Sequence, residues 1–154
     1  MQETGEMSNE QHEYIEIAEQ NIRNEIEVLY EQAREIADES WALTEEAKET
    51  MQIGDWAKYR LHVRRRANTV SIEWHRVRFV GPSGKRRPLS KYVPRGKSYK
   101  YSMNSFRDAP EWERDAIEQF EKELEPIRKQ VERLVKSLKF LRVYTTEREK
   151  LASD

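Results

Sequence analysis

Two stretches of this chain place an apolar residue at every seventh position, and the stretch between them places one at every second. In the first, Ile15, Ile22, Leu29, Ile36 and Leu43 form a heptad row, with Ile26, Ala33 and Ala47 four positions after members of it. In the last, Ile117, Leu124, Val131 and Leu138 form a row, and Phe120, Ile127, Leu134 and Leu141 follow three residues behind each. A spacing near 3.5 draws one apolar stripe along a helix. Neither stripe is hidden by its own helix, so each requires a partner face.

Local signals bound the helices. Ser8 with Gln11 resembles a capping box and Gly54 a left-handed stop, which predicts a first helix from about residue 9 to about residue 52. Asp108 with Glu111 fits an N-terminal cap for the second, Pro110 is tolerable in its first turn, and the tail after about Arg148 is expected to fray. Pro126 removes a backbone hydrogen bond without breaking the heptad phase, so a kink with the ring toward solvent is expected.

Between the helices, Tyr59, Leu61 and Val63 alternate with polar residues, and so do Val70, Ile72 and Trp74. This period of two predicts a hairpin turning around Arg65 to Asn68. Val77 and Phe79 take the opposite parity, which predicts a bulge or a change of exposed face near Arg76. Gly81-Pro82-Ser83-Gly84 marks a second turn, and a third, edge strand is expected over Leu89 to Val93 between two prolines. The fold class is therefore α+β: two long helices in an antiparallel coiled-coil stalk, with a small antiparallel β head of two to three strands inserted between them. The segments are 1–55, an acidic helix; 56–107, the head; and 108–154, the heptad helix. A homodimer through the helices is the competing or additional use of the seams.

Charge divides along the same boundaries. Residues 1–55 carry 3 bases and 16 acids, a net of -13; residues 56–100 carry 14 bases and one acid, Glu73, a net of +13; the remainder nets -1. Summed, these give the -1 of the whole chain, which hides the dipole. A block of positive charge this dense exceeds what solubility requires and points to phosphates, although pairing with the acidic first helix would also use it. The candidate contacts are Lys58, Arg60, Arg64, Arg65, Arg66, Arg76, Arg78, Lys85, Arg86, Arg87, Lys91, Arg95, Lys97 and Lys100. Arginine predominates near the hairpin, where its planar fork grips phosphate or reads guanine better than lysine does. Arg64 to Asn68, at a hairpin tip, is a candidate for insertion into a major groove. Tyr99 and Tyr101 are candidates for stacking on bases, whereas Trp74 and Phe79 are expected in the core. Trp41, Trp56 and Trp112 are expected to seal the head to the stalk.

Catalysis finds little support. There is no cysteine, no Gly-rich phosphate loop and no paired carboxylates in a polar setting. His62 and His75 with Glu73 fall short of a metal ligand set, so neither a metal nor another cofactor is expected. No run approaches membrane-spanning length, and the first residues lack the basic and apolar regions of a signal sequence, so a cytoplasmic protein is expected.

The stretch Ser71-Ile72-Glu73-Trp74-His75-Arg76-Val77-Arg78-Phe79-Val80-Gly81 resembles the conjugative-transfer proteins of the MobI type. The likeness continues through Gly84-Lys85-Arg86, Tyr92-Val93, Gly96-Lys97 and the Pro110-Glu111-Trp112-Glu113 entry to the second helix. It covers about residues 56 to 145. The resemblance implies an accessory to a relaxase in mobilising integrative conjugative elements and related plasmids from an origin of transfer, and brings no catalytic residues. The expected activity is therefore non-enzymatic binding of origin DNA, with a relaxase or other transfer protein as a partner. An RNA-binding regulator and a coiled-coil adaptor without nucleic-acid binding are the alternatives.

Overall fold

Both heptad stretches form single unbroken helices, α1 over Gln2–Thr50 and α2 over Glu111–Ser153. The computed structural model describes the backbone of residues 2–153 and the side chains of residues 13–153. Between the helices, β1 (Tyr59–Arg66), β2 (Thr69–Val80) and β3 (Arg87–Tyr92) form an antiparallel sheet in the order β1-β2-β3. The helices run antiparallel, since Ser40 to Thr44 share a crevice with Trp112 to Ile117, and Gln32 to Glu39 share one with Glu123 to Gln130.

The ends differ from the sequence expectation. Helix α1 begins at Gln2, so Ser8 lies inside it rather than at its start, and the side chains of the expected capping box fall outside the described residues. Helix α2 continues past Arg148 to Ser153. Asp108 does not cap α2. Its carboxylate instead takes the Tyr59 hydroxyl and, at 2.8 Å, Nε of Arg76, while Glu113 and Arg114 donate their amides to the Pro110 carbonyl. An ion pair with a strand arginine outcompetes a cap that the loop geometry does not require. Pro126 is exposed within the helix, its ring toward solvent as expected, and its lack of an N–H removes the intrahelical bond to the Lys122 carbonyl.

On α1 the fully buried row is Ile26, Ala33, Ser40 and Ala47, whereas Leu43 of the expected row is 38% exposed and Thr44 is buried in its place. This face serves two neighbours, α2 and β1, and small side chains permit both approaches. Trp41, on the flank of the same face, donates Nε1 to the Leu61 carbonyl at 3.1 Å and so occupies part of the open edge of β1.

The sheet lays Leu61, Ile72 and Trp74 on a core shared with Ile117, Leu124 and Phe106. The parity slip is a change of covered face. Pairing of β2 with each neighbour proceeds in constant register, with no inserted residue, while burial moves from Trp74 on one face to Val77 on the other. Ile53 and Trp56, beyond the end of α1, share a groove with Val77. Phe79 lies past that cover and is 45% exposed, so it is not a core residue as expected.

One buried polar cluster ties sheet to helix. Glu121, with no exposed surface, accepts from Trp74 Nε1 (3.0 Å), Tyr101 N (2.8 Å) and both terminal nitrogens of Arg128 (2.8 and 2.9 Å). Arg128 also donates to the carbonyls of Ile72 and Tyr99. Nearby, the Glu113 carboxylate accepts the amides of Lys58 and Tyr59 at 2.8 to 3.1 Å, and burial pushes its pKa up to about 7. An unfolded glutamate titrates near 4.3, so between the two values the folded state holds a proton that the unfolded state has lost. Stability from this group is therefore full below about pH 4 and gone above about pH 7, a span worth roughly 4 kcal/mol. Urea midpoints should fall between pH 5 and pH 7.5, and that part of the slope should vanish in Glu113→Ala.

Candidate nucleic-acid interface

The two hairpins of the sheet point in opposite senses. The β1–β2 turn at Ala67 and Asn68 folds back along the helices: Arg65 pairs with Glu27 of α1 at 3.0 Å, and the Asn68 amide oxygen, turned toward α2, meets Arg142 Nη2 at 3.0 Å. The expected inserting tip, Arg64 to Asn68, is thus held against the stalk at two of its five residues. The β2–β3 ribbon leaves from the other end, beside the C-terminus of α1, and β3 is exposed along its whole length. Its turn is fixed by Gly81 and Gly84, at φ 114° and 84°, with Lys85 N donating to the Pro82 carbonyl at 2.9 Å. A Cβ on Gly81 would sit 3.0 Å from the Lys85 carbonyl oxygen, so the turn needs glycine there for space as well as for φ.

Arg78, Lys85, Arg86, Arg87 and Lys91 are all exposed on this ribbon. Among the described residues none of the five lies within salt-bridge distance of a carboxylate. Register sets Arg76 opposite Lys91, Arg78 opposite Leu89 and Val80 opposite Arg87, so one ribbon face carries most of the charge. The Arg76–Lys91 juxtaposition would be repulsive, and Asp108 relieves it by pairing with Arg76. The opposite face pairs His75 with Tyr92 and Phe79 with Pro88.

The other candidates divide by engagement. Arg64, Arg66 and Lys97 are exposed. Lys58, Arg60, Arg65, Arg76, Arg95, Tyr99 and Lys100 are half-buried. Of these, Lys58 donates Nζ to the Asp108 carbonyl, Arg60 stacks its guanidinium 4.8 Å from the Trp41 ring centroid, and Arg95 donates to the Ser98 carbonyl. The Tyr99 hydroxyl is bound to Glu132, which raises its pKa. Tyr101 is 1% exposed, with its hydroxyl donating to the Val93 carbonyl, so the expected stacking role falls to core packing; burial pushes its pKa up to about 12. Between the basic segment and α1 the described residues show one ion pair, Arg65–Glu27, so the charge of the middle segment is not consumed by contact with the acidic helix.

His62 and His75 stack on the outer face of the sheet with ring centroids 4.1 Å apart. Burial, above all, lowers the pKa of both, and the neighbouring Arg64 adds to it. His75 Nδ1 meets Ser90 Oγ at 3.0 Å and its Nε2 lies 3.8 Å from Glu73. Both shifts disfavour the charged ring, and the pair packs around the base of the ribbon. Among the described residues no group of three His, Cys, Asp or Glu side chains is placed to hold a metal, and no helix is long and apolar enough to cross a membrane.

A family model described as MobI protein matches residues 29–142, well over half of the chain. The chain belongs to the MobI family. The match runs from Leu29 in α1 to Arg142 in α2, and so takes in the whole sheet, the ribbon and the Glu121–Arg128 cluster. MobI membership makes this a protein of conjugative mobilisation, in a family that is accessory in kind and not known for enzymes. No curated protein and no solved structure matches the chain.

Proposed function

We propose that this MobI-family chain is a DNA-binding accessory protein of conjugative transfer, which grips origin-of-transfer duplex with the β2–β3 ribbon and so supports relaxase-mediated mobilisation. The observation that carries the reading is the row of five exposed cations without carboxylate partners on a projecting two-stranded ribbon. Such a ribbon fits the major groove. Alternate residues on a strand face stand about 6.6 Å apart, close to the rise of about 6.8 Å along the helix axis across two phosphates of one DNA strand. The helices remain available to a relaxase or a second copy, since Phe140 and Tyr144, one turn apart on α2, are 73% and 50% exposed.

The test is a fluorescence-anisotropy titration against origin duplex and a scrambled duplex at two salt concentrations. If the five ribbon cations each neutralise a phosphate, log affinity should fall with log salt at a slope of about -4.5, steeper if Arg64, Arg66 and Lys97 join. Preference for the origin should accompany the slope. Absence of binding at low salt would refute the reading.

A further inference from the structure

Strand β2 is longer than the strands beside it, and the consequence is an open edge. It pairs with β1 from Thr69 to Arg76, but β3 joins it only from His75 onward. Over Thr69 to Glu73 the side away from β1 therefore has no strand. The Trp74 carbonyl on that side accepts Val93 N at 3.0 Å, and the Ile72 carbonyl accepts Arg128 Nε at 3.3 Å. Backbone groups alternate sides along a strand, so Val70 N–H, Val70 C=O and Ile72 N–H face the same way. They open onto a groove of about 510 Å³, walled on the far side by Val131 and Val135 of α2 and rimmed by Arg95 and Lys139.

We propose that this groove docks an extended acidic segment of a partner protein, which adds to the sheet as a fourth strand beside Val70 and Ile72. Strand addition supplies the alternating donors and acceptors that such an edge lacks. The free groups span Val70 to Ile72, about three residues or roughly 10 Å, enough for the three hydrogen bonds of a short added strand. Side chains on one face of the added strand would meet Val131 and Val135. Carboxylates at its ends would meet Arg95 and Lys139, neither of which has a carboxylate within salt-bridge distance among the described residues. Lys136 is already held by Glu132 at 2.9 Å. Glu132 and Glu73 also line the groove, which disfavours a single-stranded nucleic acid with a phosphate at every step but tolerates a peptide with one or two well-placed acids. The site is separate from the ribbon, so the inference does not depend on DNA binding there.

The probe is a labelled, capped hexapeptide alternating valine and glutamate, run beside the same peptide N-methylated at alternate amides and beside labelled octathymidylate. The unmodified peptide should bind the full-length protein, and N-methylation on the pairing side should weaken it at least tenfold. Lys139→Glu should weaken it several-fold. Val70→Pro, which removes a donor on the open edge and none from the β1 ladder, should abolish it. In the unaltered protein the peptide should slow amide hydrogen exchange at Val70 and Ile72, a readout that needs no variant to fold. Equal binding of the methylated peptide, no binding of any peptide, or slowed exchange at those amides with octathymidylate alone would each overturn the proposal.

Discussion

Replacing Arg128 with alanine should cost the fold about 3–5 kcal/mol, seen as a lower urea midpoint with little change in slope. The reason is what the arginine leaves behind. Glu121 is fully buried, and without the guanidinium its charge is compensated only by Trp74 Nε1 and the Tyr101 amide. The Ile72 and Tyr99 carbonyls lose their donors at the same time. A domain of ordinary stability, about 5–15 kcal/mol, would lose a third or more. A buried ion pair in isolation can often be exchanged for apolar residues at little cost. Here the paired change Glu121→Met with Arg128→Met should remain destabilising, because Trp74 Nε1, Tyr101 N–H and the two carbonyls are orphaned together, at about 1–3 kcal/mol for each group left unsatisfied. A double variant as stable as the parent would show that the cluster is not what joins sheet to helix.

Removing charge from the ribbon should act on binding and leave folding alone. The triple change Arg78→Ala, Arg86→Ala and Arg87→Ala touches three exposed side chains with no carboxylate partner among the described residues, so its effect on stability should stay within about 0.5 kcal/mol per site. Each phosphate contact contributes about 0.9 to the salt slope, so the slope should flatten by about 2.7. Arginines that read a base cost about 1–3 kcal/mol each when lost, and a combined loss of at least about a hundredfold in origin affinity is expected. The matching change at Arg64, Arg65 and Arg66 should do less, since Arg65 is spent on Glu27 and the turn lies against the helices. Equal losses from the two variants would return the β1–β2 tip to the interface.

Much of this architecture was legible because it follows from spacing. Heptad rows specified both helices, alternation specified β1 and β2, and the parity slip after His75 correctly marked where the covered face changes. The glycines at 81 and 84 located the second turn. What escaped the sequence depends on contacts distant along the chain. Nothing local says that the β1–β2 hairpin folds back onto the stalk, because that is decided by Arg65 meeting Glu27 and Asn68 meeting Arg142. Tyr101 resembles Tyr99 in sequence, yet one is sealed beneath Val93 while the other reaches Glu132 at the surface. Glu121 and Arg128 did leave a trace: they stand seven apart, each four residues after a member of the Ile117–Leu124 row, on the face that α2 buries. Charges at such positions ordinarily line a solvated flank, so the trace gains meaning only once the sheet is seen to cover it. Lys139, on the groove rim, carries no signal apart from its helical spacing from Val131 and Val135.

DNA is expected to lie on the β2–β3 ribbon, and lysine reactivity reads that surface directly. Brief acetylation of the protein with and without saturating origin duplex, followed by peptide mass spectrometry, would compare Lys85 and Lys91 on the ribbon with Lys122 and Lys129 on α2, all four being exposed. Several-fold protection of the ribbon pair, with the helix pair unchanged, is the expected result. Protection spread evenly over all four, or confined to α2, would contradict it.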